Sequence, residues 1–162
     1  MLTTLTINDV VLIRRLTLNF KAGFCALTGE TGAGKSILLD ALGLALGERS
    51  ESSVVRKGAE QAQVSAAFDV PRGHPVFSLL KEQGLEGGDE IILRRIVNAD
   101  GRSRAFINDQ PVSVSLLRQA GQSLVEIHGQ FDTHGLLNQE THRIALDEYA
   151  LIGNALSDLW AE

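Results

Sequence analysis

Residues 29–36 of the chain read Gly29-Glu30-Thr31-Gly32-Ala33-Gly34-Lys35-Ser36. They match the pattern G-x-x-x-x-G-K-[ST] at every required position. The apolar run Phe24–Thr28 precedes them, and a segment with leucine and alanine at helical spacing follows, up to Leu46. Short apolar runs are typical of buried parallel strands, and the second pattern is typical of an amphipathic helix. The sequence therefore predicts a strand, a phosphate-binding loop and a helix over residues 35–46, ended by Gly47.

The spacing of this loop has a chemical reason. Glycines allow the backbone to turn tightly enough for consecutive N–H groups to face phosphate oxygens, and the positive end of the next helix faces the same anion. Lys35 would reach the β- and γ-phosphates, and the Ser36 hydroxyl would bind Mg²⁺. The simpler alternative is a chance match in a glycine-rich turn. The strand–loop–helix context favours nucleotide binding by residues 29–36.

The bulk properties limit the class of protein. The chain has 162 residues, enough for one domain with a core. A net charge of −5 does not indicate a dedicated nucleic-acid domain, although a local basic patch could still contact DNA. The single cysteine, Cys25, is predicted to be buried in the strand, which points to a reduced compartment without disulfides. With no signal-peptide pattern and no long apolar run, we expect a cytoplasmic protein without a membrane partner.

The rest of the chain mixes predicted antiparallel strands with short helices. A P-loop unit followed by hairpins differs from the regular alternation of a Rossmann fold. The final predicted helix shows no stop signal before the chain ends. The predicted strands are Thr4–Ile7, Leu16–Phe20, Gln63–Val70, Glu90–Val97, Ser103–Ile107 and Ser123–Ile127; the turns are 98–101 and 108–111; the helices are Pro75–Gln83, Val114–Ala120 and Gln139–Ala161.

A P-loop so near the start, with antiparallel strands on both sides, resembles the N-terminal lobe of an SMC-type ABC ATPase head. Three further segments are similar to the RecN family of bacterial DNA-repair proteins: 55–58 (VRKG), 101–108 (GRSRAFIN) and 127–130 (IHGQ). The likeness runs from about residue 2 to residue 137. It implies an α/β fold in which a P-loop strand–helix unit carries an antiparallel β subdomain. Residues 1–138 would form the lobe, and residues 139–162 a helix leading toward a coiled coil.

The resemblance also implies roles for individual residues. Residues Gly29 to Ser36 would be the Walker A loop for ATP, and Gln130 would be the Q-loop glutamine that helps Ser36 to hold Mg²⁺ and positions the attacking water. Lys35 and Gln130 are thus the catalytic candidates; for Gln130 the alternative is an ordinary polar loop residue. The family pattern is broken beside it at Phe131 and His134, so those two positions receive no role.

Arg56 follows the P-loop helix in sequence, where SMC heads place an arginine that approaches the phosphates. The resemblance therefore implies that Arg56 stabilises transition-state charge in cis. The alternative, which the sequence leaves equally open, is a solvated loop arginine beside Lys57.

Four arginines fall on one predicted hairpin. Alternation places Arg94 and Arg95 on opposite faces and puts Arg102 and Arg104 on one face. A basic patch for DNA phosphates is one interpretation, and cross-strand ion pairs on a solvated hairpin are the favoured one.

Two ABC motifs are missing from the chain. No apolar run ending in Asp-Glu (Walker B) and no Ser-Gly-Gly signature follow the P-loop; the nearest segment, 124–127, has its glutamate inside the run. The resemblance then implies half of an ATPase head, nearly inactive alone. Its partners would be its own C-terminal lobe, a second head and DNA, and it would act at the nucleoid in double-strand-break repair. The alternative is a self-contained P-loop switch or kinase.

Overall fold

The computed structural model describes residues 1–28, 34–85, 88, 90–125 and 127. They form six strands and three helices, with a short 3-10 turn at Ser52–Val54. The strands are β1 (Leu2–Val10), β2 (Ile13–Asn19), β3 (Gln61–Asp69), β4 (Glu90–Asn98), β5 (Ser103–Ile107) and β6 (Gln110–Val112), and the helices are α1 (Lys35–Ala45), α2 (Pro75–Glu82) and α3 (Val114–Leu124).

All six strands belong to one antiparallel sheet in the order β2-β1-β3-β4-β5-β6. Five of the predicted strands are confirmed, each within a few residues of the predicted bounds: Thr4–Ile7, Leu16–Phe20, Gln63–Val70, Glu90–Val97 and Ser103–Ile107. The first two strands are longer than predicted, so that only Val11 and Leu12 connect them. The antiparallel subdomain that the sequence predicts is therefore the main framework of the described chain.

Alternation along the strands builds the core. In β3, every second residue from Ala62 to Phe68 is buried, and the residues between them are partly exposed. The same period continues in the neighbouring strands, so one face of the sheet is apolar and needs a cover. Helix α1 packs against β1, β3 and β4, while α3 packs against β5 and α2. The buried apolar residues of the sheet are Leu5, Ile7, Val10, Ala62, Val64, Ala66, Phe68, Ile91, Leu93, Ile96, Val97, Ala105 and Ile107.

The end of α1 and the middle of α3 approach each other at backbone distance. A Cβ atom at Gly121 would lie 2.6 Å from the carbonyl oxygen of Leu46, and one at Gly47 would lie 2.7 Å from the backbone nitrogen of Arg118. Gly47 also has a φ of 88°, which L side chains rarely adopt. Its predicted role as the stop of α1 is confirmed, and the structure adds that it makes room for α3.

Two tight turns shape the second half of the sheet. The predicted turn between β4 and β5 is confirmed, with Gly101 at a φ of 85°. Between β5 and β6, Asn108 and Asp109 have φ values of 47° and 63°, as a two-residue type I′ hairpin requires. The second turn was predicted to extend through Pro111, but residues 110–112 form the edge strand β6. Proline is tolerated there because an edge strand has one row of unpaired N–H groups.

The predicted buried strand Phe24–Thr28 is not formed. Its residues have no regular secondary structure, Phe24 is 97% exposed, and Cys25 is exposed rather than buried. A strand needs a neighbour for its backbone hydrogen bonds. Every strand of the described residues lies in the antiparallel sheet, and none of them pairs with this run. The composition was typical of a buried strand, but composition does not supply a partner.

The predicted strand Ser123–Ile127 is wrong at its start. Ser123 and Leu124 continue α3, which is four residues longer than the predicted helix Val114–Ala120. Ser113 caps this helix by accepting a hydrogen bond from the backbone N–H of Leu116 at 3.1 Å. The remainder of the run, apart from Val125 and Ile127, and the predicted helix Gln139–Ala161 lie outside the described residues.

The helices of the described residues are too short to span a membrane.

The contact between α1 and α3 predicts the effect of one methyl group. Gly121→Ala would force the Cβ atom against the backbone carbonyl oxygen of Leu46, which cannot move aside as the end of a flexible side chain could. We expect a loss of about 1–3 kcal/mol in unfolding free energy, as is typical of overpacking, measured by chemical denaturation. Gly88→Ala is the matched control, because the space around that glycine is open. Equal effects of the two substitutions would contradict the assignment of this contact.

Candidate functional site

The N-terminus of α1 is built as the sequence pattern requires. Gly34 has a φ of 90° and a ψ of 5°, a left-handed conformation that reverses the chain directly before the helix. Lys35 and Ser36 are the first two helical residues. The carbonyl of Gly34 accepts the N–H of Leu38 at 3.2 Å, so the helical hydrogen bonds start at once. The last glycine of the pattern therefore places the lysine and the serine at the positive end of the helix.

This helix end suits an anion. The first N–H groups of any helix lack partners within the helix, and within the described part of the chain no side chain caps those of α1. Its first turn carries no acidic residue either. The helix dipole then adds partial positive charge to that of Lys35. Ser36, at the same end of the helix, is exposed to solvent. The arrangement can bind a phosphate group.

The sheet fixes the direction of this helix. One side of α1 is buried and contains small residues together with Leu44. Small side chains allow the helix to lie close to β1, β3 and β4. The buried side consists of Ala41, Gly43, Leu44 and Ala45. The buried residues of α1 thus all lie in its C-terminal half, whereas Ser36 in its first turn is exposed.

Several predicted site residues lie outside the described residues. They are Gly29, Glu30, Thr31, Gly32, Ala33, Gln130, Phe131 and His134. Their predicted roles remain predictions. Within the described ranges, no three His, Cys, Asp or Glu side chains are grouped as metal ligands.

Arg56 is held by Asp9 at the end of β1. Its Nε donates to the Asp9 carboxylate at 2.6 Å, and its backbone N–H donates to the Asp9 carbonyl at 2.9 Å. Both side chains are about one-third exposed, at 34% and 33%. The same connection is extended by an antiparallel bridge between Val10 and Val55. Arg56 is thus a positioned residue, which argues against the interpretation as a freely solvated loop arginine.

Backbone conformation makes this contact possible. Asp9 and Val11 have φ values of 51° and 47°, so the chain twists sharply where β1 ends. For a β-branched residue such as Val11 this conformation is strained. The N–H of Val11 donates to the carbonyl of Val54 at 2.9 Å, which helps to hold the conformation. This turn was not predictable from the residue types, because valine rarely adopts a positive φ and aspartate only tolerates it modestly.

The hairpin arginines do not form one patch. Arg94 lies over the ring of Phe106, 4.5 Å from its centroid, and pairs with Asp109 at 2.8 Å. Arg102 lies just before β5 and is 3.7 Å from Asp100. These local pairs are those of a solvated hairpin with ion pairs, the favoured interpretation. Because Arg102 precedes the strand, its predicted shared face with Arg104 is not a property of β5.

Arg95 differs from the other three. Arg94 and Arg95 lie on opposite faces of β4, as predicted, but Arg95 lies on the core face and is only 3% exposed. Its burial was missed by the sequence reasoning. The sequence pattern did indicate this burial, because Arg95 takes its place in the series Ile91, Leu93 and Val97, in which every second residue faces the core.

The fold and the helix terminus together define a P-loop ATPase lobe, and the comparisons with known proteins agree. The model of the AAA domain family matches residues 4–145, so the chain belongs to that family. Its sequence is similar to "DNA repair protein RecN" from Haemophilus influenzae, with 48% identity over 93% of this chain, and to RecN from Bacillus subtilis, with 41% identity over 93%. The chain spans about a quarter of the length of these relatives, 27% and 26%.

Solved structures show the same fold. An SMC ATPase structure from work on ATP-driven dimerisation and DNA-stimulated activation has a TM-score of 0.62 at 22% identity, covering 96% of this chain and 98% of that one. The SMC head domain from Thermotoga maritima has a TM-score of 0.55 at 22% identity, covering 73% of this chain and 41% of that one. The predicted fold class, the N-terminal lobe of an SMC-type head, is therefore confirmed, as is the resemblance to RecN.

The pair between Arg56 and Asp9 predicts a small, salt-dependent stability effect. Arg56→Gln should lower the unfolding free energy by about 1 kcal/mol or less, because a partly exposed ion pair is screened by water and salt. Denaturation in 0.05 and 1 M NaCl should show the difference from wild type shrinking at high salt. Arg102→Gln is the control, since its side chain is 86% exposed and its pair is longer, at 3.7 Å. An equal effect of both substitutions at low salt would contradict a specific role of the Asp9 contact.

Proposed function

We propose that this chain is the ATP-binding half of an SMC-like ATPase head that acts in recombinational repair of DNA double-strand breaks. The observation that carries the proposal is the left-handed Gly34 leading directly into a helix that begins with Lys35 and Ser36. Relatives named DNA repair protein RecN support the biological setting, and neighbours among SMC heads support the mode of action.

The described residues fit the phosphates of a nucleotide. The helix end without a side-chain cap provides N–H donors, and Lys35 adds a charge beside them. We assign residues 29–34 to the backbone cradle around the β-phosphate, as the matching sequence pattern implies. Lys35 would neutralise charge on the β- and γ-phosphates, where it would also lower the energy of the charged transition state.

Mg²⁺ fits the exposed hydroxyl of Ser36, an oxygen ligand of the kind that this hard cation prefers. The bound ion would supply neutralisation of negative charge on the phosphates. Gln130 is proposed as a second protein ligand and as the residue that orients the attacking water, on the strength of the IHGQ segment that contains it.

Arg56 is proposed to stabilise charge on the transferred phosphate from the same chain. Its Nε is engaged by Asp9, which fixes the plane of the guanidinium group. A fixed cation costs little reorganisation when charge develops in the transition state. We therefore assign Asp9 as the residue that positions Arg56.

We propose that hydrolysis is completed by groups outside this chain. The sequence of the chain has no Walker B run and no Ser-Gly-Gly signature. A C-terminal lobe of the same protein would supply the catalytic glutamate, and a second head would supply the signature loop. ATP would then act as the bridge that holds two heads together until hydrolysis releases them, and the chain alone would be nearly inactive. DNA would be the substrate of the assembled machine.

The first functional prediction concerns the lysine of the loop. In the intact protein, Lys35→Ala should weaken ATP binding at least about tenfold, because a charge-assisted hydrogen bond contributes about 1.5–3 kcal/mol. Calorimetry with ATP and Mg²⁺ measures this directly. Lys81→Ala, an exposed lysine in the last turn of α2, is the matched control and should bind as wild type does. Undiminished ATP binding by Lys35→Ala would show that residues 29–36 are not the nucleotide site.

The second functional prediction concerns the composite site. When this chain is joined to its C-terminal lobe, Mg²⁺-dependent ATP hydrolysis should appear, and turnover per molecule should rise with protein concentration. The reason is that a site shared by two heads is populated only in the dimer. Turnover per molecule that stays constant over a hundredfold concentration range, with no association by light scattering, would argue against a shared site.

A further inference from the structure

A second cluster of positively charged side chains lies at the C-terminal end of α1. A cavity of about 410 Å³ opens between the turn after α1, the β4–β5 hairpin and the first turns of α3. Three of its lining residues are arginines, Arg49, Arg95 and Arg118, and we call this cavity the arginine pocket. Arg49 and Arg118 are exposed, so the pocket is open to solvent on their side. The hydroxyl-bearing residues Ser103 and Ser115 belong to the same lining.

Arg95 is an unusual lining residue, because it is a buried cation. Arg95 is only 3% exposed, and its Nη2 donates a hydrogen bond to the hydroxyl of Ser103 at 2.9 Å. Its Nε and Nη1 are buried and have no hydrogen-bond partner among the described residues. Burial also lowers the pKa of the Arg95 guanidinium. A buried cation with unmet donors is costly, and such groups are normally paired.

The acidic residue of the pocket does not balance the charge. Among the described residues, Glu48 is the only carboxylate in the lining, against three guanidinium groups. Its carboxylate lies against Gly43 of α1, and its backbone N–H donates to the Gly43 carbonyl at 3.0 Å. The pocket therefore keeps a positive excess. A negative ion would restore the balance at the place where the buried charge is least satisfied.

We propose that the arginine pocket binds a phosphate group. Exposed Arg49 and Arg118 would contact it at the mouth, and the hydroxyls of Ser103 and Ser115 would donate to its oxygens. Arg95 would act from the wall, because the charge of a guanidinium is delocalised over its plane and does not depend on one nitrogen. Arginine suits this task since its donors match the geometry of phosphate. The phosphate is either a free ion or part of a nucleic-acid backbone, which offer the same oxygens.

This site is separate from the P-loop. Helix α1 has 11 residues, which at 1.5 Å per residue gives a length of about 16 Å. The pocket lies after its last turn and the P-loop lies before its first. Since about 16 Å exceeds the screening length of about 8 Å at physiological salt, the two sites can be titrated independently.

The test uses the intact protein with Lys35→Ala, so that phosphate binding at the P-loop is weakened. Thermal unfolding is followed in sodium phosphate and in sodium chloride of equal ionic strength. We expect phosphate in large excess to raise the Tm by about 5 °C or more relative to chloride. Adding Arg95→Met should weaken the phosphate response at least about tenfold in midpoint concentration, and Arg104→Gln, an exposed arginine on β5 outside the pocket, should leave it unchanged.

The choice of methionine separates binding from folding. Methionine keeps much of the volume and removes a buried, partly unsatisfied charge, so the Tm in chloride should not fall. A lower Tm in chloride with an unchanged phosphate response would overturn the proposal and leave Arg95 a packing residue. If Arg95→Met does not fold, Arg118→Gln decides, because that side chain is exposed and its loss should also weaken the response.

A second arm identifies the source of the phosphate. Binding of a short fluorescent DNA duplex is measured by anisotropy at the same ionic strength. A phosphate-induced rise in Tm that Arg95→Met removes, with unchanged duplex binding, identifies a free ion. Duplex binding that weakens at least about fivefold in Arg95→Met but not in Arg104→Gln identifies a nucleic-acid phosphate. If neither ligand responds to Arg95→Met, the proposal is wrong, whatever ATP does at Lys35.

Discussion

The close backbone contact between the end of α1 and α3 is the constraint on which both candidate sites depend. Gly47 and Gly121 let the two helices approach to a distance that a single Cβ atom would prevent. This end of α1 lies against α3, and the small buried residues of the helix pack on the sheet. The opposite end begins with Lys35 and Ser36 and forms the candidate anion site. The arginine pocket forms at the anchored end, where the turn after α1 meets the start of α3.

Most of the strands and helices could be predicted from local sequence patterns. Hydrophobic periodicity and turn-forming residues depend only on residues that are close together in the sequence. The alternation in Gln63–Val70 and the glycine at 101 each act within a few residues, and both predictions are confirmed. Phe24–Thr28 failed for the opposite reason. A buried strand is defined by a partner strand that can be far away in the sequence, and an apolar run contains no information about that partner. The predicted strand at Ser123 was wrong because Ser123 and Leu124 belong to the amphipathic helix α3. A short apolar run has no clear period and does not distinguish a strand from the end of a helix.

The candidate sites differ in the same way, since only the site formed by contiguous residues could be predicted. The N-terminal residues of α1 could be predicted, because the phosphate-binding pattern is contiguous and its glycine conformation is local. The contact between Asp9 and Arg56 could not be predicted, because it joins residues 47 positions apart in the sequence. It also depends on positive φ values at the end of β1, which the residue types there do not indicate. The arginine pocket joins three elements, so no single segment revealed it. Only the alternation that places Arg95 beside Leu93 and Val97 on the core face was visible in advance.

The dipole of α1 gives the two ends of the helix different requirements. At the N-terminus, the positive end of the dipole and Lys35 act together, so anion binding needs few additional charges. At the C-terminus, the partial negative charge of the carbonyl groups stabilises nearby cations. Arg49 and Arg118 can therefore gather beside Gly47 without strong mutual repulsion, although three arginines around one cavity still exceed what the helix end offsets. At this end the excess of arginine favours a bound anion, whereas at the other end the backbone N–H groups and the helix dipole favour one.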